Sequence, residues 1–251
     1  MTDVFRTPDE RFADLPGFAY EPHYVDVEGL RLHHLDEGSG PTVLCFHGEP
    51  SWSYLYRHML DALVAAGNRV VCPDMAGFGR SDKPTDEDWY TYDRHVDTIA
   101  AHIDQLGLED VTVVVQDWGG PIGLRWAIEH ADQVERLVIL NTGLFAGRVS
   151  KGFMAWRDFV ERTPDLPIGM IIQGGTATDL PPEVVAAYDA PYPTTQSKAG
   201  AHKFPFPRAG EQFTALIPTA GEQVRIEGAA HFLQEDEGAR IAEAMVGALQ
   251  R

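Results

Sequence analysis

The sequence predicts an α/β fold in which helices flank a mostly parallel sheet on both faces. Short and nearly continuous apolar runs, which are typical of strands buried on both faces, occupy residues 42–46, 70–72, 111–115 and 137–140. Segments with helical spacing of apolar residues lie between these runs, at residues 52–66, 93–106 and 121–130. Strands and helices that alternate in this way, joined by right-handed crossovers, build a parallel sheet.

The two ends of the chain add further elements to this sheet. Residues 24–35 alternate apolar and polar around Glu28-Gly29, which predicts an antiparallel hairpin ahead of the parallel strands. Near the other end, the sequence predicts a last strand at residues 223–227 and a last helix at 236–249.

The middle of the chain differs in amino-acid composition from the rest. Residues 142–202 are richer in Gly, Pro and aromatic residues, and their helical patterns are short, at 153–161 and 182–190. We interpret this segment as a helical cap inserted into an α/β core domain. The core is then made of residues 1–141 and 203–251.

The acidic composition limits the partners of the protein. The chain has 251 residues, enough for one sizeable α/β domain, and its 20 Lys and Arg against 38 Asp and Glu give a formal net charge of −18. This charge repels nucleic acid and anionic membrane surfaces. No apolar run approaches the ~18 residues of a membrane span, and the first residues lack a basic and apolar leader, so we expect a cytoplasmic protein. Cys45 and Cys72 lie in apolar runs, where a buried thiol is an ordinary small hydrophobe.

The candidate nucleophile is Asp117. It lies in the motif Gln-Asp-Trp-Gly-Gly at residues 116–120, between the third apolar run and a helix. A sharp strand-to-helix turn flanked by glycines exposes its central side chain at the carboxyl edge of the sheet, where the helix N-terminus stabilises negative charge. A carboxylate at this point suits attack on an alkyl carbon, which yields an enzyme ester. The alternative interpretation is an Asp that caps the following helix.

A second turn at the same edge of the sheet supplies amide donors. The run at 42–46 ends in the motif His-Gly-Glu-Pro at residues 47–50. The backbone N–H groups of Glu49 and Trp118 are predicted to form an oxyanion hole for the ester intermediate. The Glu49 side chain either is an ionised surface group or positions a water beside this hole. The glycine-rich loop at 74–84 is predicted to brace the same edge.

His231 is the candidate base. It follows the predicted last strand in a turn of small residues, where an imidazole can reach Asp117 and activate the water that hydrolyses the ester. The chain has ten histidines, and the other nine lack this setting. His47, for example, belongs to the oxyanion turn.

Several motifs together resemble those of haloalkane dehalogenases of the α/β-hydrolase fold. They lie at residues 47–50, 74–84, 116–120, 198–200 with 204–205, and 228–236. The resemblance implies that Asp117 displaces halide from a small apolar haloalkane, that His231 activates water against the ester, and that no cofactor or metal takes part. It also implies that two indole N–H groups hold the departing halide, and Trp118 and Trp156 match their positions. An indole N–H is a donor that supplies no competing nucleophile.

The other aromatic residues are assigned to packing or to the pocket wall. Three tryptophans are predicted to pack in the core or on the surface: Trp52, Trp89 and Trp126. Four phenylalanines are predicted to line an apolar pocket: Phe145, Phe153, Phe159 and Phe204.

The carboxylate that should orient His231 is hard to place. In the resembled enzymes it follows a strand between the cap and the last strand, but residues 206–223 are too few for such a β-α unit with its loops, which needs about 40 residues. In related dehalogenases the acid can instead follow the nucleophile by twenty-four positions, where this chain has Asn141. An amide can accept a hydrogen bond from imidazole but supplies no charge. Asn141 is therefore the candidate remnant of the acid site, and Glu211 and Glu222 are alternatives by position.

Two other functions share part of this pattern. Epoxide hydrolases have the first three motifs, and such an enzyme would use Asp117 together with paired cap tyrosines, for which Tyr188 and Tyr192 are the candidates. A shortened chain that binds ligand without turning it over is the other alternative. Release of halide separates the three functions.

Overall fold

The structure, a computed structural model, describes residues 3–143, 151–204 and 226–250. These ranges contain the strands β1 (Val4–Phe5), β2 (His23–Val27), β3 (Leu30–Gly38), β4 (Thr42–Phe46), β5 (Arg69–Pro73), β6 (Lys83–Pro84), β7 (Val111–Gln116) and β8 (Val134–Leu140). Several predictions fall on residues outside these ranges: most of the last strand, Phe145, Glu211 and Glu222.

The helices of the same ranges follow the predicted pattern with some additions. They are α1 (Arg57–Ala65), α2 (Tyr92–Leu106), α3 (Gly119–Glu129), α4 (Lys151–Arg162), α5 (Ile168–Gly174), α6 (Pro182–Asp189), α7 (Ala199–Lys203) and α8 (Leu233–Leu249). Four short 3-10 turns accompany them, at Asp9–Phe12, Ser53–Tyr56, Glu87–Trp89 and Gln196–Lys198. Of the helices described, none combines the length and the apolar character that a membrane crossing requires.

The central sheet has the order β2-β3-β5-β4-β7-β8 in the described part of the chain. Strand β4 runs parallel to both β5 and β7, and β7 runs parallel to β8. The hairpin β2–β3 is antiparallel, and β3 pairs antiparallel with β5. The parallel sheet and the opening hairpin are therefore both confirmed.

Helices cover both faces of the sheet, as the apolar runs predicted. On β4, Leu44 and Phe46 point into the cluster that contains α2 and α3, whereas Val43 and Cys45 point into the cluster that contains α1 and α8. All four side chains are at most 1% exposed. Each fully buried large apolar side chain contributes about 1.5–3 kcal/mol to stability, so this strand anchors both layers. Cys45 and Cys72 are free, buried thiols, in keeping with the packing role expected of them.

Helices α4 to α7 lie between β8 and α8 in the chain, and a buried ion pair joins them to the sheet-flanking helices. The Tyr188 hydroxyl of α6 donates to Glu235, whose carboxylate receives the Arg57 guanidinium of α1 at 2.8 Å. Burial raises the pKa of Glu235, but hydrogen bonds from His58 and Arg57 outweigh this effect and lower the pKa to about 2. Glu235 therefore stays ionised, and removing Arg57 would leave the carboxylate with only the half-exposed His58 ring and the Tyr188 hydroxyl as partners.

The loop at 74–84 braces the sheet edge, as predicted. The Asp74 carboxylate is fully buried and accepts hydrogen bonds from the amides of Ser53 (2.8 Å) and Arg80 (2.9 Å) and from the His33 ring (2.7 Å). Burial raises the pKa of Asp74, but the neighbouring His33 outweighs this effect and holds the pKa below its ordinary value. One ionised side chain thus fixes the loop to the turn that follows β4.

Three details of the sequence prediction are wrong. Helix α8 begins at Leu233 and not at 236, because no side-chain cap marks its start. Helix α5 was not predicted, since its sequence Ile-Gly-Met-Ile-Ile-Gln-Gly has no polar face that would reveal a helical period. Ile226 and Glu227, the described part of the predicted last strand, lie in irregular and turn structure.

Candidate active site

A strained turn presents Asp117 at the carboxyl end of β7. Its φ of +49° lies in the left-handed region, which non-glycine residues rarely adopt. The glycines after it allow close packing: a Cβ on Gly119 would lie 2.4 Å from the Phe46 carbonyl oxygen, and one on Gly120 would lie 2.0 Å from Thr142 Oγ1. The sharp turn predicted from the motif is therefore present, and the Asp117 side chain does not cap α3, whose N-cap residue is Trp118.

The two oxygens of the Asp117 carboxylate have different partners. The Glu49 amide donates to Oδ1 at 2.8 Å, and His231 Nε2 lies 3.2 Å from Oδ2. The amide of Glu49 thus lies where the predicted oxyanion hole requires a donor. The role of the Trp118 amide in that hole stays a prediction.

Glu49 is a buried residue of this site, so its interpretation as a surface group is wrong. The residue is 4% exposed, and its carboxyl receives a hydrogen bond from the Trp156 indole. Burial, together with the negative charge of Asp117, raises the pKa of Glu49 well above its ordinary value. A raised pKa favours the neutral acid, which removes the repulsion between two neighbouring carboxylates.

His231 is oriented through its ring and its backbone. Its carbonyl oxygen accepts hydrogen bonds from the side-chain amides of Gln116 (3.2 Å) and Asn141 (3.1 Å). Burial lowers the pKa of the imidazole, but the hydrogen bond and charge of Asp117 outweigh it, so the pKa is raised. Gln116 was not singled out from the sequence, although a polar residue at the end of an apolar strand is a usable signal.

Asn141 lies beside the His231 ring, as predicted, with its amide nitrogen nearest to Nδ1. Its Nδ2 atom is 3.4 Å from His231 Nδ1 and also lies within 3.4 Å of the carbonyl oxygens of Ala230 and His231. Two carbonyls turn the amide nitrogen toward this loop, because only the nitrogen can donate to them. Asn141 therefore turns its amide nitrogen, and not its oxygen, toward Nδ1.

The tautomer of the imidazole decides whether Nδ1 accepts from the Asn141 amide. A neutral ring that accepts at Nδ1 carries its proton on Nε2, the nitrogen that faces Asp117. A general base needs the opposite tautomer, with Nε2 free and Nδ1–H bonded to an acceptor. Among the described residues, Asp117 provides the one carboxylate within 4.0 Å of His231.

A cavity of about 870 Å³ opens above Asp117. Its described wall is mostly apolar and comes from the strand ends, from α4 and α5 and from the His231 turn: Glu49, Pro50, Asp117, Trp118, Asn141, Thr142, Gly143, Gly152, Phe153, Trp156, Phe159, Pro167, Met170, Ile171, Gly174, Gly175, His231 and Phe232. This volume suits an organic molecule of modest size.

Most, but not all, of the described aromatic residues that were assigned to this cavity line it. Trp118, Trp156, Phe153 and Phe159 line it. Phe204, predicted to line the pocket, instead packs behind Trp118 with ring centroids 5.4 Å apart and is fully buried. The wall also includes residues of α5 that sequence reasoning missed, because that helix was not predicted.

The tryptophans assigned to packing lie as predicted. Trp52 and Trp126 are fully buried, and Trp89 packs against the core. The tyrosines that an epoxide hydrolase would need, Tyr188 and Tyr192, are both buried, and neither is among the described residues that line the cavity. Their hydroxyls meet Glu235 and the Pro50 carbonyl instead.

Comparison with known proteins agrees with this geometry. Residues 41–172 match the family model of the alpha/beta hydrolase fold. The chain is 41% identical over 293 residues to a haloalkane dehalogenase of Mycobacterium marinum, an alignment that covers 97% of this chain and 99% of the relative. The chain belongs to the haloalkane dehalogenase family. A second family member, haloalkane dehalogenase 1 of Mycobacterium tuberculosis, is 43% identical over 294 residues, with 97% and 98% of the two chains covered.

Solved structures of the family have the same fold. The tetrameric haloalkane dehalogenase DpaA from Paraglaciecola agarilytica NO2 superposes with a TM-score of 0.90 at 33% identity, over 96% of this chain and 97% of that chain. The present chain is nevertheless short for the family. Because 97% of its 251 residues is about 243, about 50 of the 293 aligned positions of the Mycobacterium marinum relative have no counterpart here.

Proposed function

We propose that this member of the family hydrolyses carbon–halogen bonds in small apolar haloalkanes. One observation carries the proposal: the Asp117 carboxylate lies at an apolar cavity with Oδ1 bonded to the Glu49 amide and Oδ2 facing His231. In the first step Oδ2 attacks the halogen-bearing carbon, the carbon–halogen bond breaks, and its electron pair leaves with the halide. The product is an alkyl ester of Asp117.

Two indoles receive the halide in this proposal. Trp118 and Trp156 both line the cavity. In a pocket that excludes water, indole N–H groups replace the hydration of the leaving anion. The Trp156 indole is bonded to Glu49 in the structure, so the halide competes with the Glu49 carboxyl for this donor.

Hydrolysis of the ester is the weaker half of the proposed cycle. Water adds to the ester carbonyl carbon, and the bond from that carbon to the alkoxy oxygen then breaks, so that the alcohol leaves with the proton removed from the water. The carbonyl oxygen is stabilised by the Glu49 amide and, in our proposal, by the Trp118 amide. His231 has to take the proton from that water, yet its Nδ1 faces the Asn141 amide nitrogen. No charge in the described structure stabilises the imidazolium from that side, so we propose that the ester forms faster than it is hydrolysed.

The proposal extends to the organisation of the chain. Residues 142–202 act as a cap over a core made of residues 1–141 and 203–251. The cavity supports this division, because its wall combines strand ends of the core with α4 and α5 of the cap. The proposed steps require neither a metal nor a cofactor. Exclusion of nucleic acid and membranes, and location in the cytoplasm, stay predictions.

The other two candidate functions have less support. An epoxide hydrolase needs phenol donors in the cavity, and Tyr188 and Tyr192 lie elsewhere. A chain that binds ligand without turnover would release no halide, and the following test distinguishes it.

Replacing Asp117 with Asn is expected to abolish halide release while the protein stays folded. An amide is nearly isosteric with a carboxylate but a far poorer nucleophile, so we expect a loss of roughly 1,000-fold or more. Halide release from a 1-bromoalkane is the measurement, with Asp165→Asn at an exposed ion pair as the control. Undiminished release in freshly prepared protein would refute the assignment of Asp117, whereas delayed recovery would indicate deamidation.

Replacing either Trp118 or Trp156 with Phe is expected to weaken halide binding. Each change removes one charge-assisted donor worth roughly 1.5–3 kcal/mol and keeps an aromatic ring. This corresponds to roughly ten-fold to more than hundred-fold weaker affinity in a bromide titration followed by tryptophan fluorescence. Trp89→Phe, outside the cavity wall, is the control. Unchanged affinity in the Trp156 variant would place the second donor elsewhere.

Replacing Asn141 with Glu is expected to speed hydrolysis of the ester. The change removes the donor facing Nδ1 and supplies the missing negative charge. We therefore expect the rate of ester hydrolysis to rise roughly ten-fold. This gain is smaller than the ~10⁴-fold loss in rate that the wrong histidine tautomer causes in a serine protease. Single-turnover kinetics should show faster alcohol formation with little change in halide release. Asn141→Gln has the same length without the charge, and equal acceleration in that variant would contradict the electrostatic explanation.

A further inference from the structure

The carboxylate of Asp236, in the first turn of α8, binds two separate segments of the chain. Its Oδ1 accepts hydrogen bonds from the amides of Ala177 and Thr178, each at 2.9 Å, and from the Thr178 hydroxyl. Its Oδ2 accepts from the amides of Ala177 (3.0 Å) and Ala230 (2.8 Å). Five hydrogen bonds therefore converge on one side chain, five residues after His231.

These bonds differ from ordinary helix capping. A carboxylate in a first turn usually accepts from amides of its own helix or interacts with the helix dipole. The donors of Asp236 instead belong to the loop that follows α5 and to the turn that precedes α8. The side chain thus joins these two segments to each other.

The joined segments hold His231 from both sides. Ala230, the residue before it, donates to Asp236, and Phe232, the residue after it, donates its amide to the Gly175 carbonyl at 3.0 Å. Gly175 and Phe232 both line the cavity. The backbone of His231 is therefore fixed against the loop at 175–178, beside the proposed substrate.

We propose that Asp236 is a positioning residue for ester hydrolysis. It fixes the His231 backbone against the loop at 175–178, so that Nε2 stays within reach of Asp117 although the described structure places no carboxylate on Nδ1. The inference rests on the proposed function for the step that it affects. The geometric part, the orientation of the imidazole, is independent of that function.

The charge of Asp236 suits this task. Burial raises its pKa, but hydrogen bonds from Ala230, Thr178 and Ala177 outweigh burial and keep the pKa below its ordinary value. An ionised carboxylate accepts through both oxygens. An asparagine would place an NH2 group against N–H donors and lose the bonds on one side.

The proposal is tested with the Asp236→Asn variant and two measurements. NMR titration of the His231 ring in the intact protein should show its pKa falling toward the ordinary value, because the bond to Asp117 that raises it is disturbed. In single-turnover kinetics with a 1-bromoalkane, alcohol formation should slow at least ten-fold, while halide release changes less than three-fold. Asp236→Glu, which keeps the charge but moves it by one methylene, is the second variant if Asp236→Asn does not fold.

Thr178→Val is the matched control. It removes one bond to Asp236 and leaves the Ala230 bond in place, so both readouts should stay near those of the unmodified protein. An unchanged His231 pKa in a folded Asp236 variant, or equal slowing of both steps, would overturn the proposal. Absence of halide release from the unmodified protein would instead refute the proposed function, and the NMR titration would still decide the positioning role.

Discussion

The contact between His231 Nε2 and Asp117 Oδ2 is the constraint on which the site depends. The two residues lie far apart in the chain, and different structural features fix their positions. A strained strand-to-helix turn fixes Asp117, and glycines let neighbouring backbone approach it closely. His231 lies on a turn before α8 that the side chains of Gln116, Asn141 and Asp236 hold through its backbone. The sheet supports the first residue directly and the second through side-chain hydrogen bonds.

The charges of the site favour the first half of the proposed cycle, displacement of halide, more than the second half, hydrolysis of the ester. Displacement of halide needs a carboxylate nucleophile and donors for the anion, and in our proposal Asp117, Trp118 and Trp156 at the cavity supply them. The raised pKa of Glu49 favours its neutral form and so reduces the repulsion between the Glu49 and Asp117 carboxyl groups. Hydrolysis needs a base whose conjugate acid is stabilised, and Asn141 offers the wrong polarity at Nδ1. The chain is shorter than its Mycobacterium marinum relative by about 50 aligned positions.

Most of the fold was predictable because its signals are local. Doubly buried strands such as β4 and β7 give continuous apolar runs, and the turn motifs at Glu49 and Asp117 follow directly after them. Helix α5 escaped prediction because it is apolar on most sides, and the start of α8 lacks a capping residue. The roles of Gln116 and Asp236 depend on contacts between distant segments, which no local pattern encodes. The direction of the Asn141 amide likewise depends on two carbonyl groups of the His231 turn.

If the ester on Asp117 forms faster than it is hydrolysed, it accumulates and can be observed directly. The unmodified protein is mixed with a short 1-bromoalkane and quenched in acid at successive times, and bromide, alcohol and the mass of the peptide containing Asp117 are measured. We expect a burst of bromide that precedes the alcohol, with the alkyl group found on that peptide. Alcohol that forms as fast as bromide, with no alkylated peptide, would contradict slow hydrolysis of the ester and would indicate that a carboxylate outside the described residues partners His231.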